Sequence, residues 1–204
     1  WSSADIATDT PTNNFCTLSP LHVYATNNGS PVISEGATKH NGSGDWGGTK
    51  GSIAVNKGKW YWEMRATSGN YSDIITGIQS EDAAVSSGSA HNLLSTAGFY
   101  TSSSFWIKDS TSGRDDVAAG SITHTPGSSI LYGIALNMDD GEITYYSNGS
   151  VISGLNGVDL DGLASLYVMP FSAFYNVGVS FNFGGYTTNT ISSAASDANG
   201  YGNF

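Results

Sequence analysis

The sequence predicts an all-β fold, an antiparallel two-sheet β-sandwich preceded by an extended N-terminal arm, and three observations carry that prediction. Residues 130–149, ILYGIALNMDDGEITYYSNG, read as two strands joined by a tight turn and closed by a second turn. Seven or more β-rich segments follow one another at short spacing, punctuated by Gly and Asn. No segment sustains the apolar period of a helix, although residues 89–95 are compatible with one helical turn.

In chain order, residues 1–20, WSSADIATDTPTNNFCTLSP, carry Thr, Asp, Pro and Asn at a density that resists helix and leaves few periodic apolar positions, so they are expected as an extended arm. Short strands follow at 21–24 and 31–34, separated by the turn Asn27-Asn28-Gly29, and a polar loop over 35–50 holds Trp46 among glycines. The segment 59–66, KWYWEMRA, sets aromatics and Met against Lys, Glu and Arg as a half-buried strand does. Further strands are expected at 73–79, 98–108, 129–137, 142–147, 167–174 and 177–183. In the hairpin, Asp139-Asp140-Gly141 supplies residues that tolerate positive φ, Asn148-Gly149 stops the second strand, and Tyr145 and Tyr146 point to opposite faces. The sandwich spans 21–190 and a tail or linker spans 191–204.

Composition narrows the class. A fold of 204 residues is one domain, or one domain plus an arm, and buries roughly 70% of the surface its unfolded chain exposes, so it needs no disulfides. The single cysteine, Cys16, cannot form an intramolecular bridge, and no Cys/His spacing suggests zinc; it is expected as a small buried hydrophobe. Charged residues make up 12% of the chain, about half the usual share. Ser, Thr, Asn and Gly fill the surface instead, as in secreted, virion and appendage proteins. Lys+Arg 7 against Asp+Glu 17 gives a net charge of −10, which repels phosphate backbones and anionic lipid and argues against nucleic acid as a partner. No apolar run approaches a membrane span, and the N-terminal residues do not form a signal peptide. A chain that starts at Trp1 without Met and stops at Phe204 in mid-phrase is expected to be a piece of something longer.

Three stretches in consistent order resemble SPRY domains. The hairpin matches their apolar strand, acidic-Gly turn and aromatic strand before Asn-Gly. GKWYWEM at 58–64 is similar to their Gly-x-(aromatic)-Tyr-Trp-Glu strand, and LYVMPFSAFYNVGVSFNFG at 166–184 resembles their terminal pair ending in Asn-Phe-Gly. Gly127-Ser128-Ser129 stands where the family commonly has a Gly-Asp dipeptide. The resemblance covers roughly residues 52–184. It implies a concanavalin-like jelly roll of two antiparallel sheets, used for binding and not for catalysis. The front segment TDTPTNNFCTLSPL is similar to the start of SPRY-containing proteins of bacteriophages and environmental bacteria, many of them virion or tail-fibre components.

Catalytic signatures are sparse. Glycosidases set two carboxylates across a sugar, whereas the neighbours Glu81-Asp82, Asp115-Asp116 and Asp139-Asp140 point apart on a strand and are expected in turns. Glu63, within an aromatic strand, is the one carboxylate placed to do chemistry, but the binding family carries the same Glu. No nucleophile elbow is present, and His22, His40, His91 and His124 are scattered singly beside polar loops, where solvated histidines are expected. Asp139-Asp140-Gly141-Glu142 lacks the alternating carboxylates of an EF-hand, which leaves a calcium site built from several loops as the alternative to no metal. No cofactor is expected.

Binding has better candidates: Trp46, Tyr71, Tyr100, Trp106 and Tyr175, together with Phe105, lie in or beside predicted loops, where a ring stacks on a sugar or anchors a protein partner, or else caps the core. Asn28, Asn41, Asn70 and Asn148 head sequons that permit glycosylation, Asn-Gly-Ser being also plain turn chemistry. The arm is suited to lie along a neighbour's sheet edge, a head-to-tail contact that grows a filament. The expected function is therefore a non-enzymatic structural and adhesive protomer of an extracellular fibre or phage virion appendage, assembling with itself through residues 1–20 and facing surface glycans. The alternative is a monomeric lectin-like carbohydrate-binding module.

Overall fold

Among the described residues there are fourteen strands: β1 (Leu18–Ala25), β2 (Val32–Ser34), β3 (Lys39–Asn41), β4 (Trp46–Gly51), β5 (Lys59–Gly69), β6 (Ile74–Ser80), β7 (Thr96–Tyr100), β8 (Ser104–Lys108), β9 (Leu131–Asn137), β10 (Glu142–Ser147), β11 (Ser150–Val151), β12 (Val158–Asp159), β13 (Val168–Tyr175) and β14 (Val177–Asn182), with one 3-10 turn at Asp161–Ser165. The computed structural model describes residues 14–25, 31–42, 46–83, 95–102, 104–108, 122 and 124–185. Most of the expected arm, the turn at 27–29 with Asn28, the helical turn expected at 89–95 except Ser95, His91, the Asp115-Asp116 pair and the tail at 191–204 lie outside them.

Two antiparallel sheets form the sandwich, as expected. One has six strands in the order β1-β4-β13-β6-β7-β8; the other has eight, β11-β10-β9-β5-β14-β3-β2, with β12 alongside β10. The hairpin forms as expected, its register setting Asn137 opposite Glu142 and Tyr132 opposite Ser147. Gly141 (φ 71°) takes the left-handed conformation its turn requires, and Asn148 (φ 49°) with Gly149 (φ 79°) makes the next turn, where Asn148 Oδ1 accepts from the Leu131 amide at 2.9 Å.

Between the sheets, Trp62, Met64, Ile134, Tyr145 and Phe181 meet Ile74, Ile78, Phe99, Phe105 and Phe174 in one core. Full burial of each such side chain contributes about 2 kcal/mol relative to exposure. Tyr145 is buried and donates its hydroxyl across the core to the Thr76 carbonyl at 3.2 Å, while Tyr146 points out of the opposite face. A second, smaller cluster of Ile75, Trp106, Phe171 and Ala173 lies on the outer face of the six-stranded sheet. That sheet is therefore covered on both faces, and every residue of β6 is buried.

Four expectations need correction. The polar loop at 35–50 contains β3 and β4. The segment WGGTKG holds few β-formers, but β4 bonds to β1 on one side and β13 on the other, so ladder and burial override propensity. The strand expected at 98–108 is a hairpin of β7 and β8, turned at Thr101, whose buried hydroxyl donates to the Tyr71 carbonyl at 3.0 Å. The sandwich begins before residue 21: β1 starts at Leu18, and Thr17 already exchanges bonds with Ser52, amide to Oγ at 3.0 Å and carbonyl to amide at 2.8 Å. The register of this edge strand slips between Leu18 and Val23, where Pro20 has no amide to give. His40 is no solvated loop histidine: it is fully buried in β3, its ring 4.7 Å from that of Phe174.

Candidate functional site

Strand pairing collects three of the expected aromatic residues at one end of the six-stranded sheet. Trp46 opens β4 and stands opposite Tyr175, which closes β13; Tyr100 closes β7 opposite Ile75, itself opposite Ala173. Antiparallel order puts these termini side by side on the outer face. The Trp46 ring meets Tyr100 at a centroid distance of 6.0 Å and 62°, and Tyr175 at 6.1 Å and 42°. All three are half-buried, and Trp46 and Tyr100 pack on the small outer cluster. Tilted and edge-on contacts of this kind add about 1 kcal/mol each beyond area burial.

The turn between β5 and β6 adds a carboxylate. Asp73 accepts from the Tyr100 hydroxyl through Oδ1 and from the Asn70 amide through Oδ2, and its carbonyl accepts from the Tyr175 amide at 3.1 Å. Burial first, then the bond to Asp73, push the Tyr100 phenol up to about 12, so it remains a donor at neutral pH. Asn70 also accepts from the Ser72 amide at 3.3 Å, so this sequon residue holds the turn that carries Asp73. Asp73 escaped the sequence reading; the spacing Asn70-x-x-Asp73 in a polar turn was the available signal.

The remaining candidates are placed elsewhere. The Tyr71 ring packs against the main core, Phe105 lies inside it, and Trp106 is fully buried in β8, lying across Gly98, where a Cβ would come within 3.1 Å of the indole. Of the other sequon residues, Asn41 ends β3 and Asn148 sits in its turn, both exposed. Glu81-Asp82 and Asp139-Asp140 are exposed turn residues, as expected; Asp139 Oδ1 accepts from the Gly58 amide at 2.8 Å.

Among the other titratable groups, Cys16 is half-buried with its thiol raised by burial, close enough to Gly51 that a Cβ there would lie 2.7 Å from the sulfur. His22 Nδ1 lies 3.0 Å from the Ser19 hydroxyl, and His124 Nε2 lies 2.8 Å from that of Tyr132. Lys50 is fully buried in β4, and its ammonium donates to the carbonyls of Ser80, Glu81 and Ala83 at 2.8, 3.2 and 2.7 Å; burial brings it down to about 8. Glu63 faces outward from β5 yet is mostly buried; it accepts from the Tyr61 hydroxyl at 3.3 Å and from Asn182 Nδ2 at 3.2 Å. Among the described residues, no group of three or more His, Cys, Asp or Glu is arranged to hold a metal ion.

No protein-family model matches the chain, and no curated protein matches its sequence. Solved structures do. The SPRY domain of human HERC1 superposes with a TM-score of 0.61 at 14% identity, covering 85% of this chain and 99% of that one. The TRIM65 PSpry domain gives 0.56 at 16% identity, covering 82% and 92%, and stonustoxin gives 0.55 at 16% identity, covering 82% of this chain and 27% of that one. At such identities the likeness speaks for fold alone, and by fold this chain is a SPRY-like β-sandwich.

Proposed function

We propose that this chain is a non-enzymatic adhesive module, a β-sandwich protomer of an extracellular fibre or virion appendage that contacts its target through the aromatic end. The observation that carries this reading is the convergence of Trp46, Tyr100 and Tyr175 from three separate strands, with Asp73 bonded to one of the rings. Rings gathered at strand ends, with a fixed acceptor beside them, suit a glycan or an apolar protein anchor. The SPRY-like fold agrees with a binding role, by analogy only. Assembly through residues 1–20 draws support from topology: β1, which the arm enters, is the terminal strand of its sheet, and Leu21 on it is 89% exposed. The lectin-like reading keeps the same aromatic end and dispenses with assembly.

Negative-stain electron microscopy of the full chain beside a deletion of residues 1–13 tests assembly; this deletion spares the tie of Thr17 to Ser52 and all of β1. Filaments that vanish with the arm support the protomer, and identical small particles in both samples reject it. Retention on immobilised glycans that is lost in Trp46→Ala without a change in particle size supports the lectin-like reading.

A further inference from the structure

The outer face of the eight-stranded sheet carries a second constellation, remote in the fold from the aromatic end. One cross-strand row runs Val151, Tyr146, Gly133, Glu63, Asn182, each residue in register with the next across β11, β10, β9, β5 and β14. Gly133 is its low point. A Cβ there would lie 2.4 Å from the Tyr61 hydroxyl and 3.0 Å from its Cζ, so the Tyr61 ring lies down across β9 where no other residue would admit it. Placed so, Tyr61 meets Tyr146 edge-on at 6.4 Å and 72°.

The result is a shelf with a polar margin. Tyr61 is 36% and Val151 44% exposed, with Tyr146 half-buried between them. At the inner margin Glu63 is only 8% exposed, each oxygen already fixed by one donor, Tyr61 on Oε1 and Asn182 on Oε2. A carboxylate oxygen has two lone pairs, so each can take one further hydroxyl in a fixed direction. Burial and the Glu63 charge hold the Tyr61 phenol well above its usual range, which keeps it a donor.

This set matches one ligand chemistry better than others. A pyranose presents an apolar C–H face bordered by hydroxyls; the Tyr61 ring takes the face, Tyr146 stands against its edge, and the carboxylate takes the rim, while Asn182, held by Glu63 and the Gly184 amide, fixes the carboxylate in place. Arg65 lies on the same face two residues along β5, so the face carries one charge of each sign, which favours a neutral ligand over an ion. We propose that this row is a saccharide-binding platform for a neutral pyranose, its C–H face on Tyr61, its edge against Tyr146 and its hydroxyls on Glu63.

Isothermal titration of the full chain with cellohexaose, maltohexaose and chitohexaose tests it, thermal unfolding serving to check that each variant is folded. At least one hexasaccharide is expected to bind. Tyr146→Ala, which truncates an outward-facing ring, lowers that affinity by about tenfold or more. Glu63→Gln keeps the shape and lowers it by about tenfold, since a charged acceptor becomes a neutral one. Tyr167→Ala, which removes an exposed ring outside both sites, leaves it unchanged, and Trp46→Ala locates the site, a loss there placing the sugar at the aromatic end. Absence of binding by all three sugars overturns the proposal. So does binding that survives both Tyr146→Ala and Glu63→Gln, binding lost in Trp46→Ala, or a preference for tetramethylammonium over the sugars.

Discussion

Lowering the pH is expected to destabilise this protein, and His40 is a principal cause. The ring is fully buried on β3 against Phe174, and neither nitrogen has a hydrogen-bond partner among the described residues. Burial alone lowers its pKa from 6.5 to about 4. Between those values the unfolded chain binds a proton that the folded chain refuses, so stability rises with pH across the window and falls as pH is lowered through it. The span from 6.5 to about 4, at about 1.4 kcal/mol per pH unit, makes the loss about 3 kcal/mol between neutral pH and about pH 4. That is a large part of a typical domain's total stability. Other groups contribute too, His124 among them, whose pKa burial also lowers, so the test is a difference. Urea unfolding followed by tryptophan fluorescence is compared at about pH 7 and about pH 4 for the native chain and His40→Leu. The variant should lose about 3 kcal/mol less than the native chain on acidification. An equal loss in the two proteins, or an NMR titration placing the His40 midpoint above about 6, would refute the reasoning.

Two further expectations concern single anchors. Lys50→Met removes the donor to the Ser80, Glu81 and Ala83 carbonyls while keeping most of the buried chain; we expect a loss of about 2 to 4 kcal/mol in urea unfolding, and no loss would show that water satisfies those carbonyls. Asn148→Ala gives up both the bond to the Leu131 amide and a residue tolerant of φ 49°, costing about 1 to 2 kcal/mol, whereas Asn148→Gly should recover part of that; equal costs for the two variants would assign the effect to the hydrogen bond alone.

Much of the sandwich was legible because local signals and tertiary demands agree. In β9–β10 the acidic-Gly turn and the period-two pattern specify one register, and KWYWEMRA puts Trp62 and Met64 in the core and Tyr61, Glu63 and Arg65 outside. β3 and β4 were illegible because their place depends on partners more than a hundred residues away: His40 faces Val179, and Trp46 faces Tyr175. Non-local pairing also decides the fate of single rings. Phe105 and Trp106 point to opposite faces of β8, and alternation would expose one of them; both are buried because the six-stranded sheet is covered on each side. The aromatic end was readable as a set of residue types but not as a place, since nothing local links positions 46, 100 and 175. Asp73 and the Gly133 notch were hidden for the same reason.

The double cover of the six-stranded sheet divides the molecule by rigidity. β6 and β13 are bonded along both edges and enclosed above and below, so their amides open only when the whole domain opens. The aromatic end is riveted to that slow centre through Tyr175 and the β6 turn. The proposed platform instead spreads from β14 outward to the exposed, two-residue β11, which is bonded to β10 alone, so local opening there costs less than opening the domain. A stiff contact selects a partner that already fits; a margin that breathes adapts to partners of varied length. The two proposed sites would thus differ in mode of engagement, and the division follows from which sheet is enclosed.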